Sequence, residues 1–255
     1  MSEAPRLLVT VAHPDDETFG TGSVIALAAE HGAQVTVCCA TRGEAGEVPG
    51  LTSAAEIAAA REAELRSAGT ALGVDRFVLL DYVDSGMAGE PGPRTLVGAP
   101  FGDVISDVRH VVDDVKPDVV VTLDADHGDG HRDHAVIGRA TVQACRHLPV
   151  TRVYAWTVPR PLLARWFAEL EKVRPDSAHL ELNQRGLGRP AQQITTVLDV
   201  SGMRAKREHA ISLHVSQISP YDGTPPDLRD EFLDTDHLVR LQPAWTGDSR
   251  EHTLF

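Results

Sequence analysis

Residues 9–20 read VTVAHPDDETFG. A run of apolar, β-branched residues (RLLVTVA, 6–12) has the pattern of a buried strand, and it stops at His13, Pro14, Asp15, Asp16 and Glu17. In open α/β sheets, ligands bind beyond the carboxyl ends of the strands, where polar side chains converge without entering the core. The stretch therefore predicts both a sheet and a site at its edge, provided that the rest of the chain alternates strand and helix.

It does. Strand-like runs recur at 34–40 (QVTVCCA), 76–81 (RFVLLD), 117–124 (PDVVVTLD) and 152–156 (RVYAW). Helical patterns lie between them, at 17–32, 53–73, 101–115 and 133–147, and a further one covers 203–214. The segment 53–73 opens on a Ser53-x-x-Glu56 capping box and closes on Gly73. Strands apolar on both faces in a βαβα order imply an α/β fold, Rossmann-like, with a mostly parallel sheet covered by helices on both faces. No linker divides the chain, so a single domain over 1–255 is expected. Residues 84–100, rich in Gly and Pro, predict a loop, and 218–255, with four prolines, show weak periodicity.

The 255 residues carry a net charge of −13, which repels phosphate backbones and speaks against nucleic-acid binding. No run of 18 apolar residues suggests a membrane span, and the N-terminus lacks a secretory pattern. The three cysteines, Cys38, Cys39 and Cys145, have no framework spacing, which fits a reducing, cytoplasmic compartment. A homo-oligomer is left open.

His13 and Asp16 stand three apart across a turn begun by Pro14, so both can aim at one point. Imidazole and carboxylate suit zinc, and Fe2+ or another divalent transition metal would also fit. Asp15 points elsewhere and is free to take a proton. A second cluster, LDADHGDGHRDH (123–134), follows the strand at 119–123. Catalytic zinc takes three protein ligands and leaves a position for water. One histidine from this cluster completes the set, with His127, His131 and His134 all candidates.

AHPDDE followed by GHRDH, with TRGEAG (41–46) between them, resembles the LmbE-like, PIG-L-type zinc N-deacetylase superfamily. REAELRSAGTALGV (61–74), DSGM (84–87) and HVSQ (214–217) are similar to further blocks, the DSGM loop to mycothiol-pathway members. The resemblance implies one zinc held by His13, Asp16 and His134. It implies Asp15 as general base, His131 as the group that stabilises the oxyanion or protonates the amine, and Asp133 as the group that orients His131. Two positions depart from the pattern. Arg132 stands where the family usually has proline, and Asp129 where some members have a tyrosine; an acid there is expected to raise the pKa of His131.

Charges on apolar stripes carry a separate argument. On the helix 53–73, Ile57, Leu65, Ala68 and Leu72 form one stripe, with Arg61 in its middle and Glu64 at its edge. An inward charge must be paired or line a polar cavity. The helix 203–214 repeats the pattern, with Arg207 and His214 beside Met203, Ala210 and Ile211. Arg61, Asp84, Glu44 and His214 are the candidate substrate-binding residues. The resemblance implies a small-molecule amino-sugar substrate and removal of an N-acetyl or other N-acyl group. A mycothiol-conjugate amidase or a natural-product glycoside deacetylase would use the same site, and a non-catalytic metal- or sugar-binding module is the reading of another class.

Overall fold

A computed structural model describes residues 4–46, 48, 50–146, 148, 152–177, 179–181 and 187–255. Its centre is a seven-stranded sheet in the order β3-β2-β1-β4-β5-β7-β6. Strands β1 (Arg6–Val11), β2 (Gln34–Cys39), β3 (Arg76–Leu79), β4 (Val119–Leu123) and β5 (Arg152–Thr157) pair in parallel. β6 (Thr196–Asp199) and β7 (Thr235–Gln242) close one edge, with β7 antiparallel to both of its neighbours. The chain builds outward from β1 to β3 and then returns to lay β4 on the other side of β1. That reversal is a topological switch point, and it opens a crevice between the carboxyl ends of β1 and β4.

The central strands read as unbroken apolar runs because both faces are covered. α2 (Gly22–Glu30), α3 (Ala54–Leu72) and α7 (Arg204–Leu213) pack on one another, as do α4 (Phe101–Val115) and α5 (Arg132–Ala144). The exceptions to apolarity in the sheet satisfy each other: the Thr10 hydroxyl lies 2.8 Å from those of Thr122 and Thr141, within the buried interior. α6 (Arg160–Val173) and α8 (Pro226–Asp234) form a separate, smaller apolar cluster with Tyr221. Among the described residues no helix is long and apolar enough to cross a membrane.

The expected α/β layering stands, with local differences. The helical pattern at 17–32 is two helices, α1 (Asp16–Phe19) and α2, broken at Gly20 and Thr21. A Cβ on Gly20 would meet the Asp16 carbonyl at 2.8 Å, so this sharp stop favours glycine. The helix expected over 133–147 ends at Ala144, and residue 147 lies outside the described residues. α6, α8 and the two antiparallel strands were not foreseen. The capping box is formed in full: Ser53 accepts the Glu56 N–H, and Glu56 accepts that of Ser53.

The inward charge on α7 ties the layers together. Arg207 is fully buried. It donates to the carbonyls of Thr18 (3.2 Å), Phe19, Gly20 (3.0 Å) and Phe232 (3.2 Å), and to the hydroxyls of Ser23 (3.1 Å) and Tyr221 (2.9 Å). Asp236 stands 3.8 Å away as its counter-charge. One guanidinium thus caps the end of α1 and anchors it to the C-terminal elements. Arg207→Met should lower unfolding free energy by about 3–5 kcal/mol, because the carbonyls would be left buried without a donor and Asp236 without its counter-charge. Arg207→Lys should recover little of it, since an ammonium cannot reach so many acceptors. Urea denaturation of the three proteins measures both.

Candidate metal centre

The turn after β1 forms one side of the crevice. Asp16 closes it: Oδ2 accepts the N–H groups of Ala12 (3.1 Å) and His13 (2.8 Å). The same carboxylate faces two imidazoles, with Oδ2 at 3.5 Å from His13 Nδ1 and Oδ1 at 3.2 Å from His134 Nε2. The other side is the start of α5, where His131 is the N-cap and its Nδ1 accepts the Asp133 N–H at 3.2 Å. His134 follows one turn later on the same face. The ring centroids of His13 and His134 are 5.3 Å apart, and those of His13 and His131 4.6 Å. One ligating nitrogen from each of the three histidines falls within 4.8 Å of the others. Two segments about 120 residues apart in the chain therefore meet at the switch point.

A second ring of carboxylates holds these imidazoles. His13 Nε2 lies 3.2 Å from Asp133 Oδ2 and 3.4 Å from Asp84 Oδ1. His134 Nδ1 lies 3.0 Å from Asp129 Oδ2. Carboxylate–histidine contacts of this kind set ring orientation and raise basicity. Burial alone would depress the His134 pKa, yet the charges of Asp129 and Asp16 carry it to about 10. The acids around this point favour a cation strongly, and Asp133 Oδ1 is buried without a hydrogen-bond partner. Clustered nitrogen and oxygen donors in a field that draws positive charge fit a divalent transition metal.

Asp15 is held apart from this set. Its backbone is at φ 135°, a conformation that side-chain-bearing residues rarely adopt and that marks local strain. Arg61 and Glu17 maintain it. Arg61 donates to Asp15 Oδ2 (2.9 Å) and to the carbonyls of Pro14 and Gly43 (2.7 Å each). Glu17 Oε2 accepts the Asp15 N–H at 2.8 Å. Glu17 Oε1 in turn accepts from Thr18 (2.6 Å) and lies 2.8 Å from His214 Nε2. Burial, with the Asp16 charge adding to it, pushes the Asp15 carboxyl up to about 6 against the pull of Arg61. Gly43 is required here: a Cβ would fall 2.2 Å from the Arg61 guanidinium, and its φ is +66°.

Several sequence expectations change. Arg61 does lie inward and lines the cavity, and its guanidinium also grips Asp15 and two carbonyls, so it positions that carboxylate. His214 is buried and bonded to Glu17, outside the residues that line the cavity. Glu44 also lies outside them; its carboxylate accepts the Arg42 N–H at 3.2 Å. Asp84 does reach the cavity, held in a turn by the Gly86 N–H at 2.8 Å. The Asp133 carboxylate turns to His13, and only its backbone N–H meets His131. Asp129 bonds His134, and the His131 pKa falls to about 4 instead of rising, through burial and the neighbouring charges of His134 and His13. Glu17, hidden among the acids of the first motif, was missed as a positioning group. Its place one helical residue beyond Asp16, in a buried turn, was the available signal.

Arg132, where proline was expected, wraps the loop that carries Asp84. It donates to the carbonyls of Gly86 (2.8 Å), Gly89 (2.7 Å), Ala88 (2.9 Å) and Ser85. The centre opens into a cavity of about 370 Å³ that extends past β5 to α6.

The profile of the family described as PIG-L, GlcNAc-PI de-N-acetylase, matches residues 8–145. A 1D-myo-inositol 2-acetamido-2-deoxy-alpha-D-glucopyranoside deacetylase of Acidothermus cellulolyticus is 32% identical, over 98% of this chain and 94% of its own. Two solved structures share the fold at 20% identity. One is the 4-carboxy-2-hydroxymuconate hydratase of Pseudomonas putida, with TM-score 0.66 over 96% of this chain and 99% of that one. The other is the N,N'-diacetylchitobiose deacetylase of Pyrococcus horikoshii, with TM-score 0.63 over 93% and 84%.

The Arg132 contacts generate an expectation of their own. Arg132→Ala should release residues 85–89 and speed their amide hydrogen exchange by at least tenfold, leaving the β1 and β4 amides unchanged. Exchange followed by mass spectrometry reads both regions.

Proposed function

The chain belongs to the PIG-L family of de-N-acetylases, and from that premise we propose that it removes the acetyl group from the nitrogen of an N-acetylglucosamine-type small molecule, with His13, Asp16 and His134 holding one zinc ion. Its membership makes it a hydrolase of amide C–N bonds. The observation that supports the mechanism best is the meeting of the two acid–histidine clusters beside a separately held, pKa-raised Asp15.

A zinc ion, when bound, supplies Lewis-acid chemistry by acidifying water and polarising a carbonyl. The remaining steps fall to the chain itself. Arg61 occupies Oδ2 of Asp15, which leaves Oδ1 to take the proton of the attacking water. A carboxyl near 6 is a stronger base than an ordinary aspartate and is still ionised at neutral pH. His131 accepts a backbone N–H at Nδ1, so its own proton sits on Nε2. That Nε2–H then donates to the oxyanion that develops on the amide carbonyl. The proton on Asp15 then passes to the leaving amine. Asp84, at the cavity edge, is placed to accept from a sugar hydroxyl. The three free, buried cysteines support a reducing, cytoplasmic setting.

Acetate release from N-acetylglucosamine glycosides, before and after chelation, tests the proposal. Turnover that is lost with chelator and restored by zinc is the expected result; no release from any N-acyl amino sugar, with metal loaded, would point to the non-catalytic module. Asp15→Ala should abolish turnover while metal content holds near one per chain. His13→Ala should lose the metal itself, as read by elemental analysis. Asp129→Asn should weaken zinc binding by about 10–100-fold through its loss as the His134 partner, measured by competition with a chromogenic chelator.

A further inference from the structure

We propose that the wall of the cavity remote from the histidines is a subsite for an apolar substituent of the substrate, a short alkyl or aryl chain. This rests on the deacetylase reading for the place of the reacting amide, and on separate observations for the wall. Leu163, Trp166, Phe167 and Leu170 come from one face of α6, with Trp156 from the end of β5 and Phe232 from α8, and all six line the cavity that holds His13, Asp15 and His134.

The indole and phenol polar atoms of this wall are turned away or already used. Trp166 donates its indole N–H to the Pro220 carbonyl at 2.7 Å, and Trp156 donates its own to Asp236 at 2.9 Å. The Tyr221 hydroxyl donates to the Phe19 carbonyl and accepts from Arg207 at 2.9 Å. The aromatic residues therefore offer the cavity only carbon. A hydroxyl-rich ring pressed against this surface would give up water without gaining partners, whereas a hydrocarbon chain would gain by leaving water. Polar side chains that could serve a sugar, Asp84, Asp129 and His131, line the cavity beside His13 and His134. Of the polar residues beside the wall, Arg174 and Gln217 are half-buried and His179 is exposed, with Arg174 Nε buried without a hydrogen-bond partner, while Leu163, Trp166, Phe167, Leu170 and Phe232 are buried and Trp156 is half-buried. Ile218, which lines the same cavity, is 69% exposed and continues the apolar surface outward.

The chain could enter on either side of the scissile bond, as the acyl group or as the aglycone, and the test separates the two. Binding to the zinc-loaded protein is measured by calorimetry for two series. One keeps N-acetyl and lengthens the glycoside from methyl to butyl to hexyl. The other keeps the methyl glycoside and lengthens the N-acyl group from acetyl to butanoyl to hexanoyl. Affinity should rise about two- to fourfold per methylene in one series, and which series rises assigns the source. Trp166→Ala should flatten that rise, and the wild-type series decides the matter even where this variant fails to fold. Flat affinity in both series overturns the subsite. So does methyl N,N'-diacetylchitobioside binding as tightly as the hexyl compounds, which would make the wall a platform for a second sugar. Acetate release from the methyl glycoside tests the deacetylase reading alone, so hexyl-dependent binding without release would sink that reading and leave the subsite standing.

Discussion

Carboxylates cannot be gathered at the mouth of an apolar sheet without positive charge among them. Asp15, Asp16, Asp84, Asp129 and Asp133 all converge on the ends of β1 and β4, and every structural oddity nearby answers that constraint. Imidazoles stand between acids, each facing a carboxylate on a different side. Arg61 is sent inward from the apolar stripe of α3. Gly43 gives up a side chain so that the guanidinium can pass. The remaining deficit of charge is what a divalent cation would fill.

The same constraint divides the labour along the chain. The groups proposed to react all come from about the first half of the chain, on turns that follow β1 and β4. The C-terminal part adds contacts that hold them still. From α7, Arg207 caps the end of α1, and His214 secures Glu17, which in turn holds the backbone of Asp15. Without those contacts a short helix preceded by a strained N-cap would have little reason to keep its shape, since four residues cannot sustain a helix by themselves. The C-terminal elements also furnish the apolar side of the cavity, so holding the reactive turn and shaping the substrate space fall to neighbouring side chains of one region.

Legibility followed the strength of the local signal. β1, β2, β4 and β5 were readable because a strand buried on both faces needs a continuous apolar run. α3 was readable because Ser53 and Glu56 announce its start and Gly73 its end. Arg61 was readable as inward from its position in the middle of the apolar stripe, but its partner was not, because Asp15 lies 46 residues away. α6 escaped although Leu162, Leu163, Trp166, Phe167 and Leu170 repeat at helical spacing, hidden by the polar stretch around them. β7 escaped because its residues alternate with polar ones, the pattern of an antiparallel strand near a sheet edge.

The amino-acid sequence by itself determined the fold class, the two acid–histidine clusters and their location at strand ends, because periodicity and residue chemistry are local properties that survive without coordinates. It also determined that charges on α3 and α7 had to find partners inside. Only the tertiary structure decided which partners. It turned the Asp133 carboxylate to His13, set Asp129 on His134, set Arg61 on Asp15, put His214 outside the cavity lining, and spent Arg132 on a loop. The physical reason is that a side chain's pairing depends on where the sheet order brings two distant turns together, and a few ångströms at a crevice separate a ligand from a prop.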